Sequence, residues 1–252
     1  MKALALIVVL LTGSLLLSVV SVFPAWADPH SPANSSRISQ FYITENEKLT
    51  GVPNLVTAVL ADYRGFDTLF ETVVIFTAGI AVFAVLGRSP RKRRRIESQV
   101  VDDDHDQNMI VIQSCRLIIP IMQLFALYVI AHGHHSPGGG FQGGVILGSS
   151  FILWAIARNL PTALDRLSSR KTVVLACTGI LIYAGVGLVC QGLGSNFLDY
   201  HILHTILPST DRVMARSHAM LGVEIGVAFT VASVMFGLYA CLSSQGREEG
   251  GL

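Results

Sequence analysis

The chain has 252 residues, of which 51% are hydrophobic and only 14% are charged, and its formal net charge is +1. A soluble domain carries about 25% charged residues, so the composition excludes an ordinary soluble protein, and the net charge gives no case for a nucleic-acid partner. Apolar stretches of about 18 residues or more predict an all-α polytopic membrane protein with about six transmembrane helices. The four cysteines form no C-x-x-C pair, which favours small core residues over a disulfide framework or a metal site. They are Cys115, Cys177, Cys190 and Cys241.

The first apolar run, Ala3–Val22, allows two interpretations. Small residues at Ala25 and Ala27 resemble a signal-peptide cleavage site. The run is nevertheless about as long as a membrane span, and Trp26 suits an interfacial anchor. We favour a retained first helix, and cleavage would leave the rest of the topology unchanged.

Two acidic residues accompany the second predicted span, at about residues 68–86. Asp67 is a plausible N-cap. Glu71 lies about one turn inside the span, and an acid within a span is costly, so it is a candidate functional residue; the alternative is that headgroup water wets it. Before this span, residues 28–48 are polar and predict an outside loop, and residues 50–61 predict a short interfacial helix.

A charged linker separates the two halves of the chain. Six basic residues between 88 and 95 predict a cytoplasmic segment by the positive-inside rule. The acidic run 102–106 follows; it suits a solvated linker better than a divalent-cation site. The predicted organisation is a two-span module at 1–90, a cytoplasmic linker at 91–108 and a four-span module at 109–252.

The four-span module contains a second membrane acid, Glu224, near the outer end of the last span. Pro120 should kink the first of the four helices or free backbone carbonyls. The outer loop 194–217 carries His201 and His204 at helical spacing, which we interpret as an amphipathic interfacial helix. With both basic loops on one side, both termini are cytoplasmic and the chain is a multi-pass protein of the cell (inner) membrane. The predicted spans are about 109–131, 144–157, 172–193 and 219–241.

A run of histidines and glycines connects the third and fourth spans. His132, His134 and His135 are followed at once by glycines around Pro137, and glycine lets another helix approach closely. A hairpin turn whose histidines merely face water is the alternative, and a tight metal site is disfavoured because no acid or Cys lies in register. The loop glycines are Gly138, Gly139, Gly140, Gly143 and Gly144.

The predicted topology places this loop on the same outer side as Glu71 and Glu224, so they are candidates for one polar pocket. Membrane-embedded Glu residues with nearby His can relay protons, and a Glu can exchange H⁺ for Na⁺. No nucleophile with a base, phosphate loop or cofactor motif is apparent. The residues therefore predict an ion- or proton-handling subunit, with no enzyme activity and no cofactor.

The string from His132 to Gly144 resembles the signature loop of the B-type subunit of Mrp-type multisubunit Na⁺/H⁺ antiporters, with supporting similarity at 116–120 and 222–227. Residues 54–68, with Glu71 after them, resemble the C-terminal part of the large A-type subunit of these antiporters, which is a separate small subunit in membrane-bound hydrogenases. The chain thus looks like a fusion of that small subunit with a B-type subunit. Many relatives have Asp at the position of Glu224.

The resemblance implies a non-catalytic subunit that assembles with the other subunits of such a complex in the lipid bilayer and contributes to Na⁺ and H⁺ movement. The positions it favours for the ion or proton path are Glu71, Glu224 and the His132–His135 group. A structural scaffold, whose glycine-rich turn lets neighbouring subunits dock closely, is the alternative function.

Overall fold

The computed structural model describes residues 2–86, 105–207 and 210–244, and within these ranges the chain is helical with no strand. The basic cluster at 88–95 and most of the acidic run and linker lie outside the described residues. The α-helices are α1 (Lys2–Val20), α2 (Pro32–Ser35), α3 (Arg37–Thr50), α4 (Leu55–Ala58), α5 (Gly65–Leu86), α6 (His105–Ala131), α7 (Gly140–Ala157), α8 (Leu160–Arg166), α9 (Ser169–Gly192) and α10 (Arg212–Ser243). A π-helical turn occupies Val59–Tyr63, and a 3-10 helix occupies Tyr200–Thr205.

Six of these helices are long and apolar enough to cross a membrane, which confirms the prediction of an all-α polytopic membrane protein. They are α1, α5, the Met109–Ala131 part of α6, α7, α9 and α10. Pro120 lies inside the continuous helix α6. Cys115, Cys190 and Cys241 are buried and Cys177 is half-buried, as expected for small core residues.

Three helices begin earlier in the chain than the predicted starts of their spans. Helix α7 begins at Gly140, four residues before the predicted start, after Gly139 in a left-handed conformation with φ of 122°. Helix α10 begins at Arg212 and not near 219, because the Asp211 carboxylate accepts a hydrogen bond from the Met214 amide at 2.7 Å. Helix α5 begins at Gly65, so Asp67 lies inside its first turn and is not its N-cap.

The described residues group into two compact units, residues 1–45 and 46–252. In the first unit, α1 has no buried residue. The polar stretch 28–48, predicted to be an outside loop, contains α2 and most of α3 and is therefore largely helical. In α3, apolar side chains at Ile38, Phe41 and Tyr42 recur at i, i+3 and i+4, the spacing of a helix with one apolar face.

The second unit is organised around α10, which packs against α9, α7 and α5. Small residues allow the close approach. A Cβ at Gly179 of α9 would lie 2.3 Å from the Gly226 carbonyl oxygen of α10, and a Cβ at Gly144 of α7 would lie 3.0 Å from the Ala228 oxygen. Between membrane helices such contacts drive association, because lipid supplies no hydrophobic force. Helix α10 is therefore the central element to which the other helices are fitted.

The chain entering α5 is an interrupted helix, formed by α4, the π-helical turn and α5. Three side-chain hydroxyl groups donate hydrogen bonds to backbone carbonyl oxygens around the interruption, and a membrane-buried backbone requires such bonds where the helical pattern is broken. Burial raises the pKa of Tyr200, so its phenol remains a neutral donor. The hydrogen bonds run from Tyr183 to the Gly65 oxygen at 2.8 Å, from Tyr200 to the Ala61 oxygen at 3.0 Å and from Thr68 to the Leu60 oxygen at 2.7 Å.

An ion pair also fixes the interrupted helix to α10. Arg216 Nε donates to Asp62 Oδ2 at 2.7 Å, and the two side chains are 22% and 9% exposed. Removing one partner of such a pair leaves the other charge without compensation, whereas removing both avoids that cost.

We expect Asp62→Asn and Arg216→Gln each to lower the free energy of unfolding of the chain in detergent by about 2–4 kcal/mol. The double variant should lose at least about 1 kcal/mol less than the sum of the single losses. The measurement is unfolding by SDS titration, followed by circular dichroism. Strictly additive losses would show that the pair contributes no coupling.

Candidate functional site

The histidine- and glycine-rich loop between α6 and α7 is held by residues from the first half of the chain. The Asn54 amide side chain donates to the carbonyl oxygens of Gly133 at 2.7 Å and Ser136 at 2.8 Å. The Asn54 backbone N–H donates to the His134 oxygen at 2.9 Å, and the Thr57 hydroxyl donates to the Gly133 oxygen at 2.7 Å. These four bonds satisfy carbonyls that a loop of this kind leaves free, so its conformation depends on the segment before α5.

The three histidines of the loop point to different environments. His134 is buried at 9% exposure, its Nδ1 lies 3.4 Å from the Ser217 hydroxyl, and its Nε2 has no hydrogen-bond partner among the described residues. His135 is exposed, and the half-buried His132 stacks on Tyr128 with ring centroids 5.0 Å apart. No group of three or more potential metal ligands occurs in the described part of the chain. A turn whose histidines all face water does not describe this loop, because His134 is enclosed.

The enclosure of His134 predicts that the stability of the chain depends on pH. Burial lowers its pKa, and His135 and His218 lower it further. Between the folded pKa and the ordinary value of about 6.5, the unfolded state binds more protons. The contribution of neutral His134 to the free energy of unfolding is therefore complete above a pH of about 6.5, and it is lost as the pH falls.

We expect the thermal midpoint of the purified chain to fall between about pH 7 and pH 5, and to fall less in His134→Gln. The exposed His30 offers the matched control, His30→Gln, which should keep the wild-type dependence. The measurement is the melting temperature by circular dichroism in detergent. An unchanged pH dependence in His134→Gln would contradict this assignment.

The carboxyl group of Glu224 lies directly beneath the loop. Glu224 is buried, at 8% exposure, and its Oε2 has no hydrogen-bond partner among the described residues. A Cβ at Gly139 would lie 2.8 Å from Glu224 Oε1, and one at Gly133 would lie 3.1 Å from Oε2. The loop glycines thus leave the space that the carboxyl group occupies.

Glu224 faces a small cleft between α4, α5, α7, α9 and α10. Its polar lining includes the side chains of Thr57, Thr68, Gln142 and Tyr183, while no Lys or Arg of the described residues lines it. A carboxyl group in such a place can hold a proton or act as a hard oxygen ligand for a cation such as Na⁺, with hydroxyl and amide oxygens beside it.

The other predicted acids lie elsewhere. Glu71 is exposed on α5 and does not line the cleft. Asp67 is also exposed, and its carboxylate pairs with Arg64 one turn earlier. The structure therefore brings together Glu224 and the loop, but it does not bring Glu71 or Asp67 into the same cleft. Pro137 is exposed on the loop, beside Gly138, which lines the cleft.

Several residues that build the site were not singled out as site residues from the sequence. Asn54 and Thr57 precede an apolar stretch and look like ordinary capping or helix residues. Tyr183 lies in the middle of an apolar span, where a lone hydroxyl is the available signal. The Asp62 and Arg216 pair joins charges 154 positions apart, and a single sequence carries no information that pairs them.

Both halves of the chain match families of known proteins. Residues 110–237 match the family described as the domain related to the MnhB subunit of Na⁺/H⁺ antiporter. Residues 15–103 match the MbhE family, which is described as a subunit of MBH.

Individual relatives agree with these matches. The chain is 27% identical over 188 residues to the A/B subunit of a probable K⁺/H⁺ antiporter of Rhizobium meliloti (strain 1021), a match that covers 68% of this chain and 19% of that protein. It is 29% identical over 138 residues to the putative antiporter subunit mnhB2 of Staphylococcus aureus (strain Newman), covering 54% of this chain and 96% of that protein. The chain thus spans about a fifth of the first relative and nearly all of the second.

A solved structure has the same fold. The chain superposes on a chain of the membrane-bound sulfane sulfur reductase, an archaeal respiratory membrane complex, with a TM-score of 0.61 and 26% identity, over 92% of this chain and 95% of that one. The similarity covers both halves, as the two family matches do. Because the first of these matches covers half of the sequence, the chain belongs to the family with the domain related to the MnhB subunit of Na⁺/H⁺ antiporter.

Proposed function

We propose that this chain is a non-catalytic subunit of a multisubunit cation/proton antiporter, or of an antiporter-like energy-converting complex, and contributes to Na⁺/H⁺ translocation. Its partners are the other subunits of an Mrp-type or membrane-bound hydrogenase-type complex in the cell (inner) membrane, with both termini in the cytoplasm. In this proposal residues 1–90 and 109–252 correspond to two subunits that are separate in some relatives, joined by the linker at 91–108.

The observation that carries the proposal is the buried carboxyl group of Glu224 beneath the loop. An acid with one unpartnered oxygen is costly as a fixed charge in a membrane protein. Binding a proton or a cation from the cleft offsets that cost, and release regenerates the site. A fixed structural contact offers no such exchange, so the enclosed carboxyl group favours a function in ion translocation over a scaffold function.

The exposed acids have a different place in the proposal. Glu71 and Asp67 lie on the surface of α5, where they would meet another subunit or the headgroup region. The exposed His135 and half-buried His132 would exchange protons with water at the mouth of the loop. In this proposal Glu224 is the inner group of the path and His132 and His135 are its outer groups, while Glu71 and Asp67 act at a separate surface of the chain.

The test is Na⁺-dependent proton flux in vesicles that carry the whole complex, with the wild-type chain and with Glu224→Gln, and with assembly checked in the same samples. Lost flux with the complex intact supports the proposal. Unchanged flux contradicts it, and lost assembly favours the scaffold function.

A further inference from the structure

A second polar feature lies at the opposite end of α7 from the loop, around Trp154. The Cζ atoms of Arg158 and Arg166 lie 5.9 and 5.2 Å from the centroid of the Trp154 ring. Both arginines are exposed, and neither forms an ion pair with another described residue. Two guanidinium groups are thus gathered at one indole ring without an ion pair to a described residue.

The local fold holds these arginines in place. The Asn159 side chain accepts a hydrogen bond from the Thr162 amide at 2.9 Å and caps α8. Ala163 and Leu167, in and just after α8, are buried in a cluster with Phe236 of α10. Because α8 is anchored on its apolar side, the backbone that carries Arg166 is held in place next to Trp154.

The position of this cluster points to its ligand. Residues 158–168 connect two candidate spans, α7 and α9, and a connection of this length lies at a membrane surface. Residues 158–171 include four basic residues and one acid, a net charge of +3. Ile156, in the last turn of α7, is 62% exposed and offers an apolar surface next to the guanidinium groups. An anionic headgroup with its acyl chain matches this pairing of charge and apolar surface.

We propose that Arg158 and Arg166 bind the phosphate of an anionic phospholipid headgroup, with Trp154 as the platform beneath them. Guanidinium groups recognise phosphate through paired N–H donors, and basic pockets beside membrane helices bind anionic headgroups. Tryptophan is enriched at this depth of the bilayer. This lipid site is separate from the Glu224 cleft, and it stands or falls independently of the proposed ion path.

The sequence offers a direct reporter. Trp26 and Trp154 are the two tryptophans of the chain, so Trp26→Phe leaves Trp154 as the single fluorophore. The full chain would be placed in vesicles of phosphatidylglycerol and phosphatidylcholine, with bromine on the acyl chains of one lipid or the other. Stronger quenching by brominated phosphatidylglycerol measures the preference for the anionic lipid at Trp154.

Two variants that remove the same number of charges distinguish a specific lipid site from a general attraction of anionic lipid to a basic surface. Arg158→Gln/Arg166→Gln and Arg170→Gln/Lys171→Gln each remove two positive charges from the same segment. We expect the first pair to lower the preference at least about fivefold more than the second. Equal losses, or no preference in the wild-type chain, would overturn the proposal. The single variants Arg158→Gln and Arg166→Gln provide the test if the double variant loses its helical circular dichroism.

Two further experiments test whether the bound anion comes from a source other than the lipid. Adding inorganic phosphate at constant ionic strength should leave the preference unchanged, and its loss would assign the site to a free anion. In the assembled complex, native mass spectrometry should find less bound phosphatidylglycerol with the Arg158→Gln/Arg166→Gln variant than with the wild-type chain. Equal retention there would show that another subunit covers these arginines, which would overturn the lipid site.

Discussion

Glu224→Gln should reduce Na⁺-dependent proton flux of the whole complex to the background leak while the complex remains assembled. The amide keeps the shape and most of the polarity of the side chain, so the packing beneath Gly133 and Gly139 is retained. It cannot bind and release a proton, and it is a weaker ligand for a cation. A positioned proton-transfer group typically contributes about 10²- to 10⁴-fold to a rate, so the loss should be large. The measurement is proton flux in vesicles at several Na⁺ concentrations.

Two further variants sharpen this experiment. Glu47→Gln makes the same chemical change at an exposed position of the second unit and should leave both flux and assembly unchanged. Glu224→Asp keeps the carboxyl group and shortens the side chain by one methylene, so it should retain part of the flux and change its dependence on Na⁺. Full activity in Glu224→Gln would remove Glu224 from the ion path, and a similar loss in Glu47→Gln would show that the assay reports general damage.

The number of spans and the general place of Glu224 could be predicted from the sequence because both depend on local properties. Span length and hydropathy are read along the chain, and Glu224 lies inside one of the predicted spans. The loop glycines at 139 and 140 were predicted to allow close approach, and α10 is the helix that approaches. Which group occupies the space beside these glycines depends on which helices pack together, and a single sequence does not show that packing.

The lateral position of an acid could not be predicted in the same way. Helix α5 is apolar around most of its circumference, so its sequence contains no amphipathic pattern that tells which side faces the other helices. Glu71 is exposed while Thr68 and Thr72, on the same helix, are buried. The sequence thus assigns Glu71 to a span, but the rotation of the helix about its axis is set by the packing of small residues such as Gly79 against α10.

Gly140→Ala should have the largest structural effect of any single methyl group added to the loop. A Cβ at Gly140 would lie 2.2 Å from the Glu224 carbonyl oxygen and 2.9 Å from its carbon. Both are backbone atoms of α10, so no side-chain rotation can relieve the overlap, and α7 would have to move away from α10. Overpacking costs typically about 1–3 kcal/mol where side chains can adjust, so we expect a loss of at least about 3 kcal/mol here. The measurement is the unfolding free energy of the chain in detergent, together with assembly of the complex.

The matched control for this change lies on α10 itself. A Cβ at Gly222 would meet nothing within 4 Å, so Gly222→Ala adds the same methyl group to a helix without a clash. Alanine favours a helix over glycine by about 1 kcal/mol, so this variant should be neutral or slightly more stable. If Gly140→Ala is as stable as Gly222→Ala, then α7 and α10 do not pack as described. The enclosure of Glu224 beneath the loop would then also be wrong. If Gly140→Ala is unstable and Gly222→Ala is not, the glycines of the loop are required because α10 brings Glu224 against them.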